Sequence, residues 1–169
     1  MLIEMSIKGL MVDPITNMPI VILKDKMGER ILRIWVGLFE ANAIALQIEN
    51  VSTPRPMTHD LLRNIITDLD GRVDRIVVSD LKDNTFFAII HLTVRGERVA
   101  VDARPSDAIA LALRTKSPIY VAKAVLEASS MLQQNEDAER PVENVSNVSK
   151  EKWAEILEKM GPDDFKYKQ

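Results

Sequence analysis

Short apolar runs bounded by turn residues alternate along this chain with stretches in which apolar residues recur at helical spacing. In the first half, this pattern predicts three strands and then two helices. The strands cover residues 2–12, 19–23 and 30–36, the first helix covers residues 38–48, and the second begins at the N-cap Thr58. Two prolines in the segment 53–56 separate the helices, because proline removes a backbone donor and fixes φ.

The second half repeats this order. Three strands are predicted first and a helix follows, then a short extended piece and a last helix. The predicted ranges are 72–81, 85–94 and 98–102 for the strands, 108–113 for the helix, 119–121 for the extended piece and 123–132 for the last helix.

The tetrapeptide Ala-Ile-Ala-Leu occurs twice, at residues 43–46 and again at residues 108–111. Together with the repeated order of elements, it predicts an α+β fold in which two duplicated β-β-β-α-α units form one pseudo-symmetric domain. Both helices that carry the tetrapeptide are apolar almost all the way round, so we expect them to be buried on more than one side. A homo-oligomer is a further hypothesis, because one side could lie against another subunit.

The domain organisation follows from composition. Residues 1–135 form the predicted main domain, and residues 136–148 are polar and acidic and indicate a linker. Residues 149–169 are predicted to form a C-terminal helix, with an apolar stripe that includes Trp153, and a charged tail. That helix is too small to fold alone, so we expect it to dock on the main domain or on a neighbour.

Composition narrows the function classes. The chain has 169 residues, no cysteine and two histidines, so disulfides and thiolate chemistry are excluded, and the usual zinc ligand sets cannot be assembled. No secretory signal or membrane-length apolar stretch is visible, which favours a cytoplasmic protein without membrane contact. The net charge of −3 arises in the segment after residue 135, and the neutral main domain shows no strongly basic character of the kind that announces nucleic-acid binding.

Polar residues concentrate at two junctions, residues 53–60 and 101–107, and each lies where a predicted helix begins. Helix N-termini attract anions, and carboxylates with water can hold Mg²⁺ or Mn²⁺. We therefore interpret these residues as candidates for phosphate chemistry. The candidate catalytic residues are His59, Asp60, Asp102 and Asp107. The candidate substrate-binding residues are Arg55 and Arg104, and the candidate metal ligands are Glu40, Asp102 and Asp107.

Each candidate also has a purely structural interpretation. Acidic residues in a first helical turn stabilise the helix dipole without any ligand. Asp102 could form an ordinary ion pair with Arg104 or Arg114. His59 could be a surface or hydrogen-bonded histidine rather than a base.

Three long segments resemble the bifunctional nuclease domain. They are Trp-Val-Gly-Leu-Phe-Glu-Ala-Asn-Ala-Ile-Ala-Leu at residues 35–46, Pro-Arg-Pro-Met-Thr-His-Asp-Leu-Leu at 54–62, and Val-Asp-Ala-Arg-Pro-Ser-Asp-Ala-Ile-Ala-Leu-Ala-Leu-Arg at 101–114, the last followed by Pro-Ile-Tyr-Val at 118–121. The resemblance implies an α+β fold of duplicated units, activity on both DNA and RNA, and oligomeric assembly. All seven candidate residues named above occupy positions within these motifs.

Two hypotheses are therefore open. In the first, the chain is a nuclease that hydrolyses DNA or RNA phosphodiesters with the help of a divalent metal. In the second, it is a non-catalytic regulatory or scaffold domain that forms homo-oligomers, and its charged residues stabilise the junctions. The resemblance favours the first hypothesis, and the neutral charge and apolar motifs favour the second.

Overall fold

One mixed sheet forms the body of the protein in the computed structural model, which describes residues 1–137 and Glu155. Its strands are β1 (Leu2–Val12), β2 (Pro19–Asp25), β3 (Ile31–Trp35), β4 (Gly71–Lys82), β5 (Thr85–Val94), β6 (Glu97–Ala103) and β7 (Ile119–Ala122). The helices of the described chain are α1 (Leu38–Ile48), α2 (Thr58–Asp68), α3 (Pro105–Thr115) and α4 (Lys123–Asp137). The predicted α+β class is confirmed.

The strands follow the order β3-β2-β1-β7-β4-β5-β6 across the sheet. Strands β1 to β3 and β4 to β6 each form an antiparallel meander. Strand β7 lies between the two meanders, antiparallel to β1 and parallel to β4. The short extended piece of the sequence pattern is thus a central strand, and the second half has the order β-β-β-α-β-α. A duplicated origin of the two halves stays a prediction.

The repeated tetrapeptide lies in the core, as expected. Ile44 of α1 and Ile109 of α3 are fully buried, and so are Ala108, Ala110 and Leu111. Their helices contact each other directly, since an Arg114 Nη1–H donates to the Ala43 carbonyl at 3.1 Å. Small alanine side chains permit this close approach of the two backbones.

Helix α2 differs from α1 and α3, because His59 is its buried residue. Leu61 and Ile65 of α2 and its C-cap Leu69 are about half exposed. The prediction that Thr58 caps this helix is wrong. The N-cap is Met57, whose backbone N–H donates to Asp60 Oδ2 at 2.9 Å. A carboxylate at the third helical position satisfies that donor, so Thr58 falls inside the first turn.

Most of the predicted linker and C-terminal helix lies outside the described residues. Helix α4 extends to Asp137, two positions into the segment predicted as linker. Glu155, within the predicted C-terminal helix, is helical and exposed. In the part of the chain that the structure describes, no helix combines the length and the apolar character needed to span a bilayer.

Candidate functional site

Three helices begin at the same place in the fold. Glu40 lies in the first turn of α1, His59 in the first turn of α2 and Asp107 in the first turn of α3. Strand β6 leads directly into α3, whose N-cap is Arg104 and whose first position is Pro105, a residue suited to the first helical turn. The positive ends of three helix dipoles therefore meet near this group of side chains, which we call the junction cluster (Glu40, His59, Arg104 and Asp107).

Arg104 connects the two acidic members of the junction cluster. Its Nε donates to Asp107 Oδ2 at 2.7 Å, and its Nη2 donates to Glu40 Oε1 at 2.6 Å. The hydrogen bond with Asp107, together with the nearby negative charges, outweighs burial and raises the pKa of Arg104 above its ordinary value. The side chain is 51% exposed, whereas that of Glu40 is 13% exposed. Arg104 thus presents a permanent positive charge at the surface, fixed by two carboxylates.

His59 lies against the same carboxylate. Its Nε2 is 3.0 Å from Asp107 Oδ1, and its side chain is 11% exposed. Its other ring nitrogen, Nδ1, has no hydrogen-bond partner among the described residues. Burial raises the pKa of Asp107, but hydrogen bonds from His59 and Arg104 outweigh it, so that the pKa is below its ordinary value. An ionised Asp107 therefore orients the imidazole through Nε2, and Nδ1 lies on the side of the ring away from this carboxylate.

Asp60 takes part in a second, buried arrangement that also includes Arg114. Arg114 Nε donates to Asp60 Oδ1 at 2.7 Å, and the Arg114 side chain is 1% exposed. Besides the bond to Ala43 already described, Arg114 donates to the Ala110 carbonyl at 2.9 Å. Burial raises the pKa of Asp60, but the Met57 N–H and Arg114 lower it more, so the carboxylate is ionised well below neutral pH. Arg114 thus connects α1, α2 and α3. Its partner in α2 is Asp60, which follows His59 directly in the sequence.

Sequence reasoning did not identify this role of Arg114. The available signal was a lone arginine in an otherwise apolar helix, because a charged residue in such a helix needs a buried partner. Arg104 and Arg114 were the two arginines considered as ion-pair partners of Asp102. Arg104 binds Asp107 and Glu40, and Arg114 binds Asp60.

Besides Asp60, two of the candidate residues lie outside the junction cluster. Asp102 is exposed on β6, opposite Ile89 of β5. Arg55 is exposed in the loop before α2, where its carbonyl accepts a hydrogen bond from Thr53 Oγ1 at 2.7 Å. The structure therefore brings together Glu40, His59, Arg104 and Asp107, with Asp60 adjacent.

A divalent metal does not fit the junction cluster as it stands. Glu40 and Asp107 already bind Arg104, so a cation would have to displace the guanidinium from both carboxylates. Within residues 1–137 and Glu155, no three acidic or histidine side chains are grouped so as to hold a metal ion. The assignment of Glu40, Asp102 and Asp107 as ligands of Mg²⁺ or Mn²⁺ stays a prediction, and no chemical step is derived from it.

Comparison with known proteins agrees with the resemblance described above. The bifunctional nuclease domain family matches residues 21–134. An uncharacterized protein of Mycobacterium tuberculosis is 39% identical over 163 residues, which cover 96% of this chain and 98% of that protein. Bifunctional nuclease 2 of Arabidopsis thaliana is 31% identical over 85 residues, 48% of this chain and 26% of that protein. Bifunctional nuclease 1 of the same plant is 29% identical over 118 residues, 67% of this chain and 36% of that protein.

Proposed function

Because this chain belongs to the bifunctional nuclease domain family, we propose that it acts on nucleic-acid phosphodiesters at the junction cluster. The observation that carries this proposal is the contact of His59 with Asp107, which also binds Arg104. A base, its orienting carboxylate and a cation beside it form one arrangement that supports phosphodiester hydrolysis.

His59 is the proposed general base. Asp107 accepts the Nε2–H, which leaves the lone pair of Nδ1 directed away from the carboxylate. Nδ1 can then take a proton from an attacking hydroxyl or water as the new P–O bond forms. The P–O bond to the leaving oxygen breaks, and that oxygen takes its proton from the imidazolium or from solvent water. A positioned base of this kind contributes roughly 10²–10⁴-fold to a rate.

Arg104 is the proposed phosphate-binding residue. Its half-exposed guanidinium is held in one orientation by Glu40 and Asp107. An arginine oriented in advance loses little side-chain entropy when it binds a phosphate oxygen. The meeting helix N-termini add a favourable potential for the same anion. Under this proposal nucleic acid is the partner, and the second ring nitrogen of His59 faces it.

One observation favours the rival, a non-catalytic scaffold. Each acidic side chain of the junction cluster already binds Arg104, and Asp60 already binds Arg114. Such a network stabilises three helix ends without any ligand. In this alternative, the cluster holds the domain together and the function lies in its assembly.

The test is a cleavage assay with highly purified full-length protein on single-stranded RNA and DNA, in EDTA, in Mg²⁺ and in Mn²⁺. We expect His59→Gln to lower cleavage by roughly 10²-fold or more. The matched control is His91→Gln, because the other histidine of the chain lies on β5, where it pairs with Ala100, and makes no contact with the junction cluster. Its activity should equal that of the unaltered protein.

Each outcome separates the alternatives. Equal activity in the His59 and His91 variants would mean that a contaminant or another site cleaves the substrate. A large loss in Asp102→Asn, observed only with a metal present, would establish the predicted metal role and contradict a site confined to the junction cluster. Absence of cleavage under all conditions would favour the scaffold.

A further inference from the structure

Strand β6 is an edge strand of unusual exposure. In the described part of the chain it has a neighbour on one side only, β5. Each residue from Glu97 to Asp102 is exposed, on both faces of the strand. Natural edge strands are commonly protected by charged side chains, above all lysine, by proline or by a bulge. Strand β6 contains no lysine or proline and pairs with β5 without a register shift, and the charges that it carries, Glu97, Arg98 and Asp102, are of both signs. An open, regular edge of this kind can accept another strand.

The backbone groups that face the open edge can be derived from the hairpin. Arg95 and Gly96 form a two-residue turn with positive φ at both positions, so that Val94 and Glu97 are the closing pair. The Glu97 N–H of such a turn bonds back to the Val94 carbonyl. Because hydrogen bonding alternates along an antiparallel strand, Arg98, Ala100 and Asp102 direct their N–H and C=O groups outwards.

These three residues are self-complementary. If a second copy of β6 pairs antiparallel about Ala100, Ala100 lies opposite Ala100 of the second copy, and Arg98 lies opposite Asp102 of the second copy. The same register places Val99 opposite Val101 on the helix side of the sheet. Two arginine–aspartate pairs and two valine pairs result, and both kinds of cross-strand pair are favourable.

The other edge strand lacks this property. Asp25 N–H donates to the Arg30 carbonyl, so alternation directs the backbone groups of Ile31, Arg33 and Trp35 outwards on β3. A symmetric pairing about the centre of β3 would place Arg33 directly opposite Arg33 of the second copy. Like charges in that position are destabilising. The sequence of β6 favours self-pairing, whereas that of β3 opposes it.

We propose that two copies of this chain associate through β6, antiparallel and centred on Ala100, to form one continuous sheet. The proposal does not depend on nuclease activity. It gives Asp102 and Arg98 a role in assembly, and it describes a closed twofold interface in which the same surface serves both subunits.

The register can be tested by disulfide trapping, because the chain contains no cysteine. In Ala100→Cys the two introduced thiols lie on the twofold axis, with Cα atoms about 5.5 Å apart, within the range of a disulfide. We expect a covalent dimer on mild oxidation of the full-length protein. In the matched control Val99→Cys, the two introduced residues are diagonal neighbours about 7–8 Å apart, beyond the usual range of a disulfide, and no covalent dimer should form. Trapping of both variants, or of neither, would overturn the proposal.

Charge reversal provides an independent test by sedimentation equilibrium of the full-length protein. Arg98→Asp and Asp102→Arg should each weaken the dimer about tenfold or more, since each reversal acts at two symmetric positions. The combined variant should recover the original dissociation constant. The control is Glu97→Arg, because position 97 lies opposite the uncharged Ala103 of the second copy in this register. It should change the dissociation constant much less. A monomer at all concentrations, or a dimer indifferent to all these changes, contradicts the proposal.

Discussion

Two arginines of the α3 region form ion pairs of the same length but in opposite surroundings. Arg114 binds Asp60 at 2.7 Å with its side chain 1% exposed, and Arg104 binds Asp107 at 2.7 Å with its side chain 51% exposed. Both connect α3 to another helix, Arg114 to α2 and Arg104 to α1 through Glu40. Distance alone therefore does not distinguish a buried structural pair from an exposed pair at the proposed functional surface, whereas solvent access does.

The energetic consequence of losing each partner differs accordingly. Removal of one member of a buried ion pair leaves the other charge without compensation in a poorly solvated site, which costs about 3–5 kcal/mol. Removal of a member of an exposed pair lets water replace it, and the cost is typically under about 1 kcal/mol. Stability should therefore depend on Arg114, and binding or catalysis on Arg104.

The largest expected effect on stability comes from Arg114→Ala. This change leaves the Asp60 carboxylate without its guanidinium and removes the donors to the Ala43 and Ala110 carbonyls, so the free energy of unfolding should fall by about 4 kcal/mol. Urea denaturation followed by circular dichroism measures it. Arg72→Ala is the matched control, because Arg72 is 72% exposed in its pair with Asp74. Equal losses in the two variants would remove the distinction between buried and exposed pairs.

Asp60→Asn should have the next largest effect. The amide retains an oxygen for the Met57 N–H or for Arg114 but carries no charge to compensate the guanidinium. We expect a loss of about 2 kcal/mol, between those of Arg114→Ala and an exposed pair. The double variant Arg114→Ala with Asp60→Asn should lose less than the sum of the single changes, since the charges no longer lack a partner. Strict additivity would mean that the two residues do not interact.

The pH dependence of stability gives a third, smaller effect. The folded-state pKa of Asp60 lies below its ordinary value of 3.8. Its stabilisation is therefore complete above that pH and is lost as the pH falls through the lower folded value. Urea denaturation between pH 7 and pH 2 should show the stability gap between the unaltered protein and Asp60→Asn closing below about pH 4. A gap that is constant over this range would contradict an ionised, paired Asp60.

Arg104→Ala should have the smallest effect on stability, about 1 kcal/mol, because the guanidinium it removes is 51% exposed and already screened by water, whereas that of Arg114 is 1% exposed. Nucleic-acid binding or cleavage should nevertheless decrease strongly if Arg104 contacts phosphate as proposed. Fluorescence anisotropy with labelled RNA and the cleavage assay measure these losses. Arg72→Ala is the control for exposed positive charge, because Arg72 is 72% exposed and lies outside the candidate site. An equal loss of binding in both variants would indicate nonspecific electrostatics.

Much of the fold could be predicted from local pattern. The predicted ranges 38–48 and 85–94 coincide with α1 and β5, because glycine or turn residues bound a clear apolar run at each end. The role of Ile119–Ala122 as a central strand could not be predicted, because four residues carry too little periodicity to show which strands they join.

The candidate site could be predicted in part. Glu40, His59, Arg104 and Asp107 were identified because all of them lie at helix starts, and the structure brings these starts together. Asp102 is only two positions before Arg104, but it lies within strand β6. Because side chains alternate between the two faces of a sheet, Asp102 is on the face that does not carry the core residue Ile90. Arg114 was not identified as a connecting residue, because no local pattern shows which carboxylate approaches it across 54 positions.

The position of β7 has a consequence for synthesis of the protein. Strand β1 pairs with β2 on one side and with β7 on the other. It leaves the ribosome before these two strands, and β7 follows more than a hundred residues later. At translation rates of about 5–20 residues per second, one side of β1 stays unpaired for roughly 5–25 seconds. During that interval the nascent chain exposes an apolar edge that invites wrong partners, and the correct sheet closes only when the four residues of β7 emerge.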